Sequence, residues 1–83
     1  MLVKIEDYCI INLDRISTIE IDTNKDKNAL LNFFFADGME MEAQAPVYFA
    51  DEHLRDLALS DIITSYQEGY KYCDITKYVK KGE

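Results

Sequence analysis

The stretch Leu31-Asn32-Phe33-Phe34-Phe35-Ala36-Asp37-Gly38-Met39-Glu40-Met41-Glu42-Ala43 constrains the fold more than any other part of the chain. It fixes a hairpin and the face that hairpin buries. Ala36-Asp37-Gly38 has the composition of a short hairpin loop, the glycine taking a left-handed conformation that a Cβ would obstruct. That register sets Phe35 opposite Met39, Phe33 opposite Met41 and Leu31 opposite Ala43. These side chains then share one apolar face, because orientation alternates along a strand. A loop one residue shorter would face Phe33 and Phe35 with Glu42 and Glu40, which wastes both rings. The other face carries Leu30, Asn32, Phe34, Glu40 and Glu42, so Phe34 is expected on an acidic outer surface where another group covers it.

Upstream, Leu2 to Ile5 and Tyr8 to Leu13 are apolar and β-branched around Glu6-Asp7, the pattern of a tight hairpin. Alternation sets Cys9, Ile11 and Leu13 inward, although Ile10 makes the opposite row partly apolar. Asn12-Leu13-Asp14-Arg15 reads as a bend. Ser17 to Asp22 alternates cleanly and predicts a half-buried strand with Ile19 and Ile21 inward and Thr18, Glu20 and Asp22 outward. Thr23 to Asn28 is a polar, turn-rich connection.

Pro46 lacks an amide donor and restrains Ala45 to extended backbone, so it is expected to end the fourth main strand. A helix follows. Asp51 is its N-cap, Glu52 suits the positive end of the dipole, and Leu54, Leu57, Ala58, Ile62 and Tyr66 recur at helical spacing. Leu59 and Ile63 widen the stripe and predict broad packing across a sheet face. Gly69 suits the stop, while Ser60-Asp61 could cap a second short helix and break the first. From Tyr70 to Val79 the chain is aromatic and β-branched enough for a last strand, with Tyr70, Tyr72 and Asp74 on one side and Lys71, Cys73 and Ile75 on the other. The expected fold is α+β, a small, mostly antiparallel β-meander of about five strands packed by one principal helix, with a C-terminal strand-like tail.

Eighty-three residues make a single domain, 1–83, and a chain of this size buries only about 60 to 65% of the surface its unfolded form exposes. With 48% apolar and 30% charged residues, the chain is too hydrophobic for intrinsic disorder. Acidic residues interrupt the N-terminal segment before a signal-peptide core could form, and no stretch reaches the length of a membrane span. A cytoplasmic location is the expectation. The two cysteines, Cys9 and Cys73, have no metal-binding spacing and are expected as free thiols. Net charge is −7, unevenly spread: residues 1–70 hold 14 acids and 5 bases, whereas residues 71–83 hold 4 lysines and 2 acids. An acidic body repels phosphate backbones and attracts a basic protein partner.

Chemistry-bearing motifs are sparse. His53 is the sole histidine, and Asp56 lies within helical reach, but such a pair more often decorates a first turn than catalyses. No Gly-x-Ser-x-Gly turn presents a nucleophile, and the isolated glycines at 38, 69 and 82 build no phosphate-binding loop. Glu20, Asp22, Glu40 and Glu42 could converge on a hard cation, although a solvated acidic face is the commoner outcome. No catalytic residue, metal or cofactor is therefore expected. Tyr70, Tyr72 and Tyr78 interleave with Lys71, Lys77, Lys80 and Lys81, a composition that stacks on single-stranded nucleic acid in some proteins; here the acidic body disfavours it.

These residues point to a non-catalytic interaction or regulatory module that works as a homo-oligomer. Its expected surface comprises Leu30, Phe34, Glu40, Glu42, Tyr70, Tyr72 and Tyr78, with the basic tail, 70–83, exchanged or packed between subunits. Two other classes stand beside it: a ligand-binding or enzymatic domain that uses His53 with nearby carboxylates, and an acidic mimic of nucleic acid that occupies a basic protein.

Overall fold

The computed structural model describes residues 1–23, 28–36 and 44–81. Among them are strands β1 (Leu2–Glu6), β2 (Cys9–Asn12), β3 (Ile16–Thr23), β4 (Ala29–Phe35), β5 (Gln44–Phe49) and β6 (Tyr72–Asp74), and one helix, α1 (Glu52–Gln67). The expected α+β class and the single principal helix are present. The strands divide into two three-stranded sheets, ordered β2-β1-β6 and β3-β4-β5. All neighbours are antiparallel except β1 and β6, which run parallel.

The β1–β2 hairpin forms at the expected place, turning at Asp7 and Tyr8. Between Lys4↔Ile10 and Glu6↔Cys9 the register shifts, so Ile5 is an extra residue on β1. This bulge leaves Cys9 opposite Glu6 at the hairpin end, exposed, which corrects the inward position expected for it. Ile11 is buried as expected, and Leu13 opens a short 3-10 turn, Leu13–Arg15, whose first turn is capped by the Asn12 side chain.

In the second sheet, β4 is the central strand, and Leu31 and Phe33 are fully buried. Residues 37–43 lie outside the described residues, and so does the predicted Ala36-Asp37-Gly38 loop beyond Ala36. The expected pairings are nevertheless corrected, because Leu31 faces Val47 and Phe33 faces Ala45. An even shift keeps the same side chains inward and brings the larger Val47 and Phe49 into the core. Pro46 is inside β5, opposite Asn32, rather than at a strand end. The neighbouring outward carbonyl, that of Tyr48, accepts from Lys80 N–H on the outer edge, so the donor that Pro46 lacks would have pointed to that edge and not into the ladder.

Ile21 is 54% exposed despite standing opposite buried Leu31. Its strand is at the sheet edge, and α1 packs on β4, β5 and β6, leaving Ile21 beyond the helix. Ile19 is half-buried.

Asp51 caps α1 as predicted, its carboxylate accepting from Leu54 N–H at 2.8 Å. The helix ends in a Schellman arrangement: Gly69 N–H donates to Tyr66 O, Tyr70 N–H donates to Ser65 O, and Gly69 has φ of 76°. Ser60-Asp61 does not break it, because Asp61 accepts from the Tyr78 hydroxyl instead of capping a new turn. The buried stripe is narrower than expected. Ala58, Ile62 and the Arg55 stem are buried and Leu54 and Leu59 are half-buried, while Leu57, Ile63 and Tyr66 are exposed.

The C-terminal strand is shorter than Tyr70 to Val79. After Asp74 its carboxylate accepts from both N–H and hydroxyl of Thr76, at 2.9 and 2.7 Å, and this turn takes the chain out of the sheet. The tail then returns to the other sheet, where Val79 bridges Phe49. One core of both sheets and the helix results, with Val3, Ile11, Phe33, Phe49, Ile62 and Ile75 among its buried members. No helix of the described residues is long and apolar enough to cross a membrane.

Candidate functional site

His53 lies exposed on the first turn of α1. Its expected partner Asp56 is engaged elsewhere: Arg55 Nε and Nη2 donate to Asp56 Oδ1 at 3.0 and 2.9 Å, and Arg55 Nη1 donates to Asp22 O at 3.1 Å. This clamp ties the helix start to the end of β3. Among the described residues no cluster of His, Cys, Asp or Glu has the make-up of a metal site. Glu20 and Asp22 project from β3, while Glu40 and Glu42 lie outside the described residues. Cys9 and Cys73 are free thiols, the first exposed and the second buried.

Those residues of the expected interaction surface that are described do not lie together. Leu30 and Phe34 are on the outer face of the β3-β4-β5 sheet, where Leu30 is buried and Phe34 half-buried within the chain itself. Between them Asn32 donates to Gln44 Oε1 at 3.1 Å, and its Oδ1 is buried without a hydrogen-bond partner among the described residues. Tyr78 is half-buried against the helix, donating to Asp61 Oδ2 at 2.7 Å. That donation raises its hydroxyl pKa above the ordinary value. Tyr70 and Tyr72 are exposed.

Tyr72 belongs to a surface that the sequence reading did not assemble. On the outer face of β2-β1-β6, Leu2 stands between Asn12 and Tyr72, and the next outward row is Ile10, Lys4 and Asp74. Leu2, Ile10 and Tyr72 are 44%, 54% and 48% exposed. Three large apolar side chains thus crowd one small sheet face. The signal was present as the outward row of β1 and as the awkward apolar Ile10, but only the parallel pairing of β1 with β6 sets Tyr72 beside Leu2. Hydrogen bonds from Thr76 hold the Asp74 carboxyl below the usual carboxylate range, so this face keeps a Lys4–Asp74 pair of opposite charges in register.

A second feature is a cleft between the β1–β2 turn and the returning tail. It has two lobes floored by Ile5 and Val79. One, of about 560 Å³, is walled by Cys9 and by Ala45, Pro46, Val47 and Tyr48 of β5. The other, of about 720 Å³, is bordered by Asp7, Tyr8, Thr76 and Lys77. Glu6, Lys80 and Lys81 border both. No protein-family model, curated protein or solved structure matches this chain.

Proposed function

We propose that the protein is a small non-catalytic interaction module that acts as a homo-oligomer through the outer face of its β2-β1-β6 sheet. The observation that carries this reading is the exposure of Leu2, Ile10 and Tyr72 side by side on that face. Water contact with such a patch is unfavourable by about 25 cal/mol per Å² of apolar surface, and a small domain with a limited core gains from covering it. A second copy suits the surface better than an unrelated partner because the face is self-complementary in charge. Lys4 and Asp74 are adjacent in register, so the face carries both signs of charge beside its apolar side chains and a second copy can match them. The basic tail does not need to be exchanged: its β6 segment hydrogen-bonds β1, and Lys80 N–H donates to Tyr48 O, within one chain.

Sedimentation equilibrium over a wide concentration range, at about 0.15 M salt to screen the net charge, tests the reading. The full chain is expected to self-associate, and Ile10→Lys with Tyr72→Lys to shift it to monomer with an unchanged circular dichroism spectrum. Lysine lowers the net negative charge, so general repulsion between the acidic chains does not rise, and the loss reads the face itself. A wild-type chain that stays monomeric would overturn homo-oligomerisation. Association that survives both substitutions would overturn the assignment to this face.

A further inference from the structure

We infer that the two-lobed cleft between the β1–β2 turn and the tail binds a small amphipathic carboxylate, its apolar chain in the β5-walled lobe and its head group among Lys77, Lys80 and Lys81. The lobes differ in chemistry. Along β5 the wall is Ala45, Pro46, Val47 and Tyr48, over Ile5 and Val79, an apolar strip bordered by Glu6, Cys9, Asn28, Lys80 and Lys81. The other lobe gathers three of the chain's nine basic residues, in a protein with sixteen acids.

These lysines lack a carboxylate partner among the described residues. Lys80 Nζ donates to Asn28 Oδ1 at 3.3 Å, Lys77 Nζ lies 5.0 Å from the centre of the Tyr78 ring, and Lys81 has no ion pair among the described residues. Two acids border the same lobe, Glu6 and Asp7, and Asp7 is already opposed by Lys4 Nζ at 3.9 Å. The local balance is positive inside a molecule that is negative overall. An anion that reaches the lobe is therefore held by local contacts and short-range charge, since the field of the whole molecule repels it.

Each lobe falls within the range of about 300 to 1,000 Å³ common for small-molecule sites, and apolar lining with a few convergent polar groups is their usual make-up. An added peptide strand fits less well. On the open edge of β5 the tail already occupies the Tyr48 carbonyl, and Pro46 has no N–H to donate to an incoming strand. The cleft uses Ile5 and the turn, whereas the self-association face uses the outer side of Leu2 and Ile10, so neither assignment depends on the other.

The test is an amide-resolved NMR titration of the full-length protein with decanoate below its micelle concentration, with 1-decanol and inorganic phosphate titrated separately. Saturable shifts confined to residues 5–9, 45–48 and 76–81 are expected for decanoate. Lys80→Gln with Lys81→Gln should weaken binding about tenfold, the size expected when charge-assisted contacts are lost at a partly open site, and should leave the spectrum otherwise intact. Decanol is expected to bind more weakly than decanoate in the wild type, with a smaller difference in the double variant, which keeps Lys77. Absence of saturable shifts, or shifts centred on the sheet face or helix, would overturn the site. Equal binding of decanol and decanoate to the wild type would overturn head-group recognition, and phosphate matching decanoate would overturn the role of the apolar lobe.

Discussion

The two sheets are built from different kinds of sequence information. In β3-β4-β5 the strands are consecutive and antiparallel, and the centre, Leu31 and Phe33, is fully buried. In β2-β1-β6 the third strand comes from the opposite end of the chain and spans only Tyr72–Asp74, yet Val3, Cys73 and Ile75 depend on it for their burial. Near neighbours in sequence close the first sheet with little loop entropy to overcome, whereas the second joins distant segments at a larger loop-closure cost. The difference teaches that the functional candidates collect where the chain is joined at long range. The exposed apolar face and the lysine-bordered cleft both belong to β1 and the returning tail.

That contrast can be broken first at Phe33. Phe33→Ala removes a fully buried ring from the central strand and should cost about 3 to 5 kcal/mol, a large fraction of the roughly 4 to 12 kcal/mol expected for a domain of this length. Urea unfolding should show the whole molecule lost in one transition; a variant as stable as wild type would mean that β4 is not its centre.

Ile75→Ala sharpens the comparison, because Ile75 is fully buried and its N–H donates to Lys4 O just beyond β6. A cost of about 2 to 4 kcal/mol is expected, concentrated in the β2-β1-β6 sheet. Thiol labelling reads this directly. Exposed Cys9 should react at once in both proteins, and buried Cys73 should react slowly in wild type and much faster in the variant. Equal Cys73 rates would show that the tail does not open ahead of the rest.

A smaller effect is expected from Thr76→Ala, which removes the hydroxyl that donates to Asp74. The folded pKa of Asp74 lies below its unfolded value, so this interaction stabilises the fold above about pH 4 and is lost as pH falls through the folded pKa. The variant should therefore lose stability near neutral pH and converge on wild type in acid, with the Asp74 titration followed by NMR moving up. Tyr78 has the opposite sign. Its raised pKa means that its bond to Asp61 stabilises below about pH 10 and fails as pH rises through the folded value, so Tyr78→Phe should match wild type only in strong alkali.

The smallest effect belongs to Ile21→Ala on the edge of the locally built sheet, within about 0.5 kcal/mol of wild type by chemical denaturation. A loss near that of a core residue would show that β3 is covered after all.

Much of the secondary structure was legible because its causes are local. Asp51 at the helix start, Gly69 at its end, the Glu6-Asp7 turn region and the alternation of Leu31 and Phe33 act within a few residues, through caps, left-handed glycine and the two-residue period of a strand. The inward and outward sides of the tail, Cys73 and Ile75 against Tyr72 and Asp74, were legible for the same reason. Which partner each strand takes was not. Leu31 meets Val47 rather than Ala43, Cys9 turns outward at a bulge, Ile21 escapes the helix, and Leu30 on the outer face is buried within its own chain.

The candidate site follows the same division. From the sequence came the acidic body, the basic tyrosine-rich tail and the expectation of Leu30 and Phe34 on an acidic outer face. Tertiary structure alone set Tyr72 beside Leu2, near Ile10, and brought Lys77, Lys80 and Lys81 to a cleft with Ile5 and Tyr48. The physical reason is that periodicity encodes which side of its own strand a residue occupies, while register, edge position and long-range pairing are decided by the sum of contacts across the whole core.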